Sequence, residues 1–200
     1  MKAEDKDDGS NGKISYLLSG EGNSDFLVDS DGFVVSNIKL DYETKKYYNL
    51  SVTARDFGVP SKSSSANVFI NVINVNDNAP AFNISGSIRI REDVAVGTEV
   101  VRFQATDADG DKLSLNFTSG NERGDFKIQH HSGVVQVAKK LDREAIDNYL
   151  IVVMVTDPSN QFTTQNLTIV IEDANDNAPK FAKQSYAGSV LENSNSGKKN

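Results

Sequence analysis

The segment NVINVNDNAPAF at residues 71–82 returns almost unchanged as VIEDANDNAPKF at residues 170–181. In both copies an apolar, strand-like run enters the motif, and a proline followed two residues later by a phenylalanine leaves it. The NDNAP cores begin at residues 76 and 175, about one small β-sandwich domain apart. The repetition predicts that each copy joins two domains, and that the joint uses the side-chain oxygens of its two Asn and one Asp.

The rest of the chain repeats with the same period. Residues 24–56 align with residues 124–157, and residues 2–16 align with residues 103–117. About twenty residues that precede this point in the second repeat have no counterpart in the first, whereas a matching piece stands at the end of the chain. The alignment predicts three units: residues 1–79, a repeat lacking its first strand; residues 80–178, a complete repeat; and residues 179–200, the first strand of a third repeat.

Within each unit, segments rich in β-branched residues alternate with clusters of Gly, Asp, Asn and Ser. Examples are YYNLSVTARD at residues 47–56 and YLIVVMVTD at residues 149–157. No segment has a sustained 3.6-residue apolar stripe, and LDREAIDNYL at residues 141–150 would give one helical turn at most. About seven short strands per unit predict an all-β chain of tandem Greek-key, seven-strand, immunoglobulin-like β-sandwiches.

The composition narrows the classes of function. A formal charge of −7 and a pI near 4.9 argue against nucleic acid as a partner. No apolar run approaches the roughly 18 residues of a membrane span, and the charged N-terminus MKAEDKDDG lacks the apolar core of a signal peptide, so Met1 is interpreted as the start of a fragment. No Ser/His/Asp arrangement, phosphate-binding Gly loop or zinc-type ligand cluster is visible, which argues against an enzyme.

Five acidic motifs follow one another along the chain. They are Glu92 in REDVAVGTEV, DADG at residues 107–110, LDRE at residues 141–144, VTD ending at Asp157, and DANDNAP at residues 173–179. In this order, and partly repeated one unit earlier, they resemble tandem cadherin repeats across essentially the whole chain. The resemblance implies β-sandwich repeats joined by calcium-binding linkers.

The physical chemistry of calcium agrees with such a pattern. Calcium takes about six to eight oxygen ligands at roughly 2.3–2.6 Å, more than one short loop supplies. Carboxylates from the end of one sandwich, the linker and the start of the next could supply them together, with Asn adding neutral amide oxygens. The linker is the one segment that all the ions would share, which explains its many side-chain oxygens.

The resemblance implies three ligand sets and up to three calcium ions at a complete junction. The first junction would use Asp41, Glu43, Asn76, Asp77, Asn78, Asp107, Asp109 and Asp157. The second would use Glu92, Asp142, Glu144, Asn175, Asp176, Asn177 and Glu192. An N-terminal half-site would consist of Asp5, Asp7 and Asp56. The first unit lacks a counterpart of Glu92, so three ions at the first junction are not assumed. The first linker also begins with Asn74 where the second has Asp173, a departure of little expected consequence.

The resemblance implies a calcium-dependent adhesion segment from the cell-surface ectodomain of a single-pass membrane protein. Its partners would be other cadherin-like ectodomains, homophilic or heterophilic. Two alternatives stay open: a calcium-stiffened spacer or receptor stalk without an adhesive contact, and head-to-tail self-association. In the second, the C-terminal segment QSYAGSVLEN of one chain would complete the first unit of the next by strand addition, with Glu192 as the missing bridging carboxylate.

The remaining motifs carry weaker predictions. DSDG at residues 29–32 and the His130-His131 pair are interpreted as solvated turns, and the RGD tripeptide at residues 123–125 as the start of a strand. DADGD resembles an EF-hand loop, but its glycine is at the fourth position instead of the sixth, so this reading is rejected. Four sequons are candidate glycosylation sites, at Asn49, Asn83, Asn116 and Asn166.

Overall fold

The computed structural model describes residues 2–83 and 86–190, together with residues 192 and 197. Within these residues the chain forms fourteen β-strands and two single-turn 3-10 helices, Gly9–Asn11 and Asn23–Asp25. Residues 141–147 form a turn and no helix, closed by the Ile146 N–H donating to the Asp142 carbonyl at 3.0 Å, and residues 148–150 already belong to a strand. The all-β prediction is therefore confirmed.

The described residues of the predicted first unit (residues 1–79, called unit one) form five strands arranged in two sheets. They are β1 (Ile14–Gly20), β2 (Phe26–Val28), β3 (Val34–Ser36), β4 (Tyr47–Asp56) and β5 (Ser63–Asn71). Antiparallel pairing gives one sheet in the order β1-β4-β5, and β2 pairs with β3 in the other. Because successive side chains of a strand face opposite sides, β4 buries Tyr48, Leu50 and Val52, whereas Asn49 is exposed and Ser51 half-buried.

The described residues of the predicted second unit (residues 80–178, called unit two) form nine strand segments. They are β6 (Ala81–Phe82), β7 (Gly86–Arg91), β8 (Glu99–Arg102), β9 (Ala105–Thr106), β10 (Ser114–Ser119), β11 (Phe126–Ile128), β12 (Val134–Val137), β13 (Asn148–Thr156) and β14 (Phe162–Glu172). The sheet orders are β10-β13-β14-β7 and β11-β12-β8, with a β6-β9 ribbon. Nine segments stand where seven strands were predicted because each of the first two strands is interrupted, between β6 and β7 and between β8 and β9.

The first strand of unit two divides between two pairings. β6 pairs antiparallel with β9, whereas β7 pairs in parallel with β14, with Ile88 opposite Ile169. The five strands of unit one, β1–β5, correspond in order to β10–β14 of unit two. Within the described residues, unit one has no strand that corresponds to β7 or β8. The outer edge of β5, which matches the edge of β14 that β7 covers, therefore has no strand beside it.

Each unit has its own hydrophobic core between its sheets. The unit-two core contains thirteen buried residues and the unit-one core contains five. An edge-to-face ring pair recurs in both, Phe26–Tyr48 at 4.8 Å and Phe126–Tyr149 at 5.0 Å between centroids. Equivalent positions thus make equivalent contacts, as expected of a repeat.

The segment after β14 forms no strand within residues 173–190, and its residues 175–190 are exposed. A first strand of a third repeat in residues 179–200 stays a prediction, because a lone strand has no sheet to pair with. Leu191, residues 193–196 and residues 198–200 lie outside the described residues. No helix among the residues described is long and apolar enough to cross a lipid bilayer.

Candidate metal centre at the domain junction

The linker between β5 and β6 is fastened to the loop that precedes β10 in unit two. Asn74 Nδ2 donates to the Asp109 carbonyl at 3.1 Å, and the Asn78 N–H donates to Asp109 Oδ2 at 3.0 Å. Asn76 Nδ2 donates to Asp111 Oδ2 in the same loop. The two NDNAP asparagines at 76 and 78 therefore hold the linker against the carboxylates of the next unit.

Three aspartates of unit two each use one carboxylate oxygen to hold the backbone. Oδ1 of Asp107 accepts from the Asp109 N–H at 2.8 Å. Oδ2 of Asp109 accepts from Asn78 at 3.0 Å, as described, and Oδ1 of Asp157 accepts from the Gln161 N–H at 2.8 Å. These hydrogen bonds fix the direction of each carboxylate.

The second oxygen of each of these aspartates is buried without a partner. Across the described residues, the buried side-chain polar atoms that lack a hydrogen-bond partner are Asn74 Oδ1, Asp107 Oδ2, Asp109 Oδ1 and Asp157 Oδ2. All four are acceptors, and all belong to the junction. Burying an acceptor without a donor costs free energy, so four together indicate a site for a ligand that carries positive charge.

A group of three carboxylates spans the junction itself. One oxygen each from Glu43, Asp77 and Asp109 lies within 4.8 Å of the others, so unit one, the linker and unit two all contribute. A cleft of about 660 Å³ opens beside them. Burial, followed by the charge of Asp109, raises the pKa of Glu43, as expected of acidic groups crowded together.

Asp111 also lies among these carboxylates, although the acidic motifs did not predict it as a ligand. Its pKa is raised first by burial and then by the charges of Asp107, Asp109 and Asp157. Its position as the last residue of DADGD was the available signal. Asn74 was noted only as a departure from the second linker, yet its Oδ1 is one of the four unpartnered atoms.

Other predicted ligands of the first junction make hydrogen bonds within the protein. Asp41 caps the turn that follows it and accepts from Thr44 Oγ1 at 2.7 Å, which is the main cause of its lowered pKa. Asn76 Oδ1 accepts from Gln161 Nε2 at 2.6 Å and is thereby occupied. Asn78 Nδ2 donates to Asp77 Oδ1 at 3.0 Å. The structure thus brings Glu43, Asp77 and Asp109 of the predicted set together. Asp107 and Asp157 lie outside this group with one unpartnered oxygen each, and Asp41 and the Asn76 oxygen are engaged in other hydrogen bonds.

The second junction is organised around buried Glu92. Its carboxylate accepts from the N–H of Arg143 at 2.7 Å and from that of Ala174 at 2.8 Å, and these bonds lower its pKa. One oxygen of Glu92 lies within 4.8 Å of oxygens from Glu144 and Asp176. The end of the first strand, the turn after residue 141 and the second linker therefore meet at one point.

Cationic side chains and amides surround the second group. Asn177 Nδ2 donates to Glu144 at 3.2 Å and to Asp176 at 2.8 Å. Arg143 lies 3.6 Å from Glu144, and Lys140 lies 4.0 Å from Asp176. The predicted ligands Asp142, Asn175 and Glu192 stand outside the group of three: Asp142 accepts from the Ala145 N–H at 3.2 Å, and the other two are exposed.

The N-terminal set repeats the local geometry of unit two. Asp5 Oδ1 accepts from the Asp7 N–H at 2.9 Å, as Asp107 does from Asp109. Asp56 is buried, and its Oδ1 accepts from the N–H groups of Gly58 and Lys62, both at 3.0 Å. Within the described residues these three carboxylates do not form a close group of the kind seen at the two junctions.

The aspartate of the RGD tripeptide makes a buried structural contact. Asp125 is buried, and its Oδ2 accepts from the Tyr149 hydroxyl at 2.8 Å and lies 3.3 Å from Arg123 Nε. His130 Nδ1 lies 3.0 Å from the carbonyl of Leu115 on β10. Among the sequons, Asn49, Asn83 and Asn166 are exposed and Asn116 is half-buried; residues 84 and 85 of the Asn83 sequon lie outside the described residues.

A family model for the cadherin domain matches residues 1–73 and 86–172. The chain belongs to the cadherin family. Human Cadherin-23 is 36% identical over 208 residues, which cover 98% of this chain and 6% of that protein. The Drosophila melanogaster protein stan, a protocadherin-like wing polarity protein, is 39% identical over 198 residues, covering 96% of this chain and 6% of the relative.

Solved cadherin structures share the fold of this pair. The crystal structure of mouse Cadherin-23 EC22-24 has a TM-score of 0.81 and 32% identity, covering 90% of this cadherin and 60% of that chain. The Protocadherin gammaB7 EC3-6 cis-dimer structure has a TM-score of 0.83 and 27% identity, covering 93% and 47%. The predicted resemblance and the tandem β-sandwich fold are therefore confirmed.

Family membership also fixes the class of function. Cadherin domains are adhesion and structural modules of membrane-protein ectodomains and not enzymes, which confirms the sequence-based exclusion of catalysis. Cadherin domains bind calcium at their linkers, and the acidic groups of this cadherin lie at its linkers. The chain spans about 6% of the length of the curated relatives described above, so it corresponds to a small part of such a protein.

Proposed function

We propose that this cadherin pair binds calcium at the junction between its two units, and that the bound ions make the junction rigid within a cell-surface adhesion segment. The observation that carries the proposal is the set of four buried, unpartnered oxygens on Asn74, Asp107, Asp109 and Asp157. The donor set is oxygen only, with neither His nor Cys, and this favours a hard cation such as calcium. Bound calcium would supply positive charge that offsets the mutual repulsion of the carboxylates.

The residues of the chain have separate parts in this function. Asp107, Asp109 and Asp157 hold one oxygen each in a fixed direction through backbone hydrogen bonds, so the site is largely formed before an ion arrives. Glu43 is the contribution of unit one, and Asp77 is that of the linker. An ion held by all three segments would stabilise only those arrangements in which the two units keep a fixed relative orientation.

The second acidic group, Glu92, Glu144 and Asp176, supports a matching half-site at the lower end of unit two. Its members come from one unit and its following linker, without a carboxylate from a third unit. Fewer carboxylates and the nearby Lys140 and Arg143 favour weaker calcium binding here than at the first junction.

The experiment that tests the calcium proposal combines isothermal titration calorimetry with small-angle X-ray scattering. Calcium is titrated into chelator-treated protein, and scattering is recorded in millimolar calcium and in chelator over a concentration series. Saturable heat and a monomeric rod that loosens in chelator are expected. Absence of binding heat together with superimposable profiles would overturn the proposal.

An adhesive contact with other cadherin-like ectodomains rests on family membership, and a stiff spacer without such a contact is the competing proposal. Beads coated with this chain distinguish the two. Calcium-dependent bead aggregation supports a homophilic adhesive contact, and aggregation only with beads carrying a second cadherin supports a heterophilic one. Beads that stay dispersed in calcium, with a scattering profile that is nevertheless calcium-dependent, favour the spacer.

Head-to-tail self-association is a second proposal, supported by the uncovered edge of β5. In unit two the Arg143 and Ala174 N–H groups donate to Glu92. Their counterparts in unit one, Tyr42 and Val75, have no acceptor within the described residues. A strand from a second chain with Glu192 in the place of Glu92 would satisfy both amides. Mass that grows with concentration in the scattering series supports this assembly, and constant monomeric mass excludes it.

A further inference from the structure

The outer face of the β1-β4-β5 sheet carries two large aromatic side chains beside a sequon. Asn49 on β4 lies directly opposite Phe69 on β5. Tyr47 precedes Asn49 by two residues on the same strand, so all three side chains share the outer face. Tyr47 and Phe69 are each 71% exposed, and Asn49 is exposed as well.

Neither aromatic ring has a ring partner within the protein. Among the described residues, Tyr47 and Phe69 are in no ring–ring pair and lie beneath no cation. Two exposed rings at neighbouring positions on one sheet face, with Leu17 of β1 (67% exposed) on the same face, form an apolar surface that something is expected to cover. Asn49 adjoins both rings, two residues from Tyr47 on β4 and opposite Phe69 on β5, and is itself exposed.

The sequon itself is well placed for modification. Leu50, its middle residue, is 1% exposed and belongs to the core, so the Asn49 side chain necessarily faces outward. A sugar attached there would leave the core untouched. The Ser51 carbonyl accepts a hydrogen bond from Ser19 Oγ at 3.2 Å, so this sequon lies within a regular, paired part of the sheet.

We propose that Asn49 carries an N-linked glycan whose first N-acetylglucosamine packs on the rings of Tyr47 and Phe69. The two rings offer π-faces to the apolar C–H face of a pyranose, in the way that they would take another aromatic edge. The glycan covers the aromatic pair and closes this face to protein partners. The inference needs passage through the secretory pathway, which family membership supports, and it is independent of calcium.

As far as the described residues extend, the other three sequons have no aromatic side chain at the equivalent opposite or preceding strand positions. Asn166 on β14 lies opposite Val152 and follows Thr164 by two residues. Asn116 lies opposite Met154 and follows Ser114, and Asn83 follows Ala81. Asn166 is therefore a matched control: an exposed sequon at mid-strand in the same chain, without rings beside it.

The test uses the chain fused to a secretion signal and expressed in human cells that make only high-mannose glycans. Endoglycosidase H then trims every glycan to its first sugar, and mass spectrometry reports the occupancy of each sequon. Ser51→Ala removes the Asn49 sequon while keeping Asn49, and Thr168→Ala does the same for Asn166. Each is combined with the aromatic double variant Tyr47→Ala/Phe69→Ala, and thermal unfolding is measured.

Asn49 is expected to be occupied, and its single sugar is expected to raise Tm by about 3–6 °C when the rings are present and not when they are absent. The sugar on Asn166 is expected to have the same effect on Tm with and without the rings. An unoccupied Asn49 would overturn the proposal. So would an occupied Asn49 whose sugar changes Tm equally in the parent and in the aromatic double variant.

Discussion

The carboxylate of Glu92 accepts a 2.8 Å hydrogen bond from the backbone N–H of Ala174, 82 residues further along the chain. Its other oxygen accepts from the Arg143 N–H at 2.7 Å. Glu92 is 1% exposed, so one buried side chain ties the end of the first strand of unit two to both the turn after residue 141 and the second linker. The residue thus has a structural part in unit two that is independent of any ion.

Glu92→Ala is expected to lower the Tm of unit two by about 5–10 °C in calcium-free buffer, because two buried N–H groups lose their acceptor. Glu92→Gln keeps one acceptor and should cost less. Differential scanning calorimetry measures both. Asp93→Ala, which removes only an exposed ion pair with Arg91, is the control and should shift Tm by less than about 2 °C. Equal shifts for the alanine variants would contradict the structural part assigned to Glu92.

Asp109→Asn is expected to weaken calcium binding at the first junction at least tenfold, because Asp109 supplies both an unpartnered oxygen and a member of the three-carboxylate group. The calcium-induced rise in Tm, which follows the ratio of free calcium to Kd, should shrink accordingly. Asp31→Asn removes an exposed carboxylate away from the junction and is the charge-matched control. Isothermal titration calorimetry compares the two, and an unchanged Kd in Asp109→Asn would argue against this site.

Asp111→Asn is expected to raise Tm at pH 7 in chelator and to leave it unchanged near pH 3. The folded pKa of Asp111 is raised above 3.8, mainly by burial. A raised carboxyl pKa means that the ionised form destabilises the fold, so the cost is present at neutral pH and disappears below 3.8.

Asp93→Asn is expected to change Tm at pH 7 in the opposite direction, lowering it slightly. Arg91 lowers the pKa of Asp93, so its small contribution to stability is present above 3.8 and is lost as the pH falls through the lowered value. Thermal unfolding between pH 3 and pH 7 measures both variants. A fall in Tm for Asp111→Asn at pH 7 in chelator would contradict the proposed repulsion.

Tyr149→Phe is expected to destabilise unit two by about 1–3 kcal/mol, because the buried Asp125 carboxylate loses a hydroxyl donor. Burial, and then the hydrogen bond to Asp125, raises the pKa of Tyr149 to about 12. Stability from this group is complete below pH 10 and is lost as the pH rises towards 12, so the parent should lose more stability over this range than the variant. Urea unfolding measures the difference. Tyr47→Phe changes an exposed hydroxyl in unglycosylated protein and should cost under about 0.5 kcal/mol.

Local sequence pattern was sufficient for the strands and for the position of the linkers. The alternation in residues 47–56 predicts a half-buried strand, and β4 buries Tyr48, Leu50 and Val52 as that period requires. The local pattern did not predict that the first strand of unit two is divided into β6 and β7, which pair with different strands. β7 pairs with β14 through residues about eighty positions away, and no local period records such a pairing.

The candidate site was likewise predicted in part from the sequence. The order and type of the acidic motifs identified Glu43, Asp77 and Asp109, which the structure brings within 4.8 Å of one another. Sequence reasoning also assigned the Asn76 oxygen, which the structure commits to Gln161, and it left out Asp111. Both differences arise from contacts between segments that are distant in the chain.

The sequence by itself determined the repeat, the β-sandwich class and the collection of carboxylates at each linker, because motif spacing and strand period are local properties of the chain. Only the tertiary structure decided which oxygen of each aspartate is committed to a backbone N–H and which is left buried without a donor. It also decided that Phe69 and Tyr47 flank Asn49. These outcomes depend on register between strands and on burial, both of which are set by the whole fold.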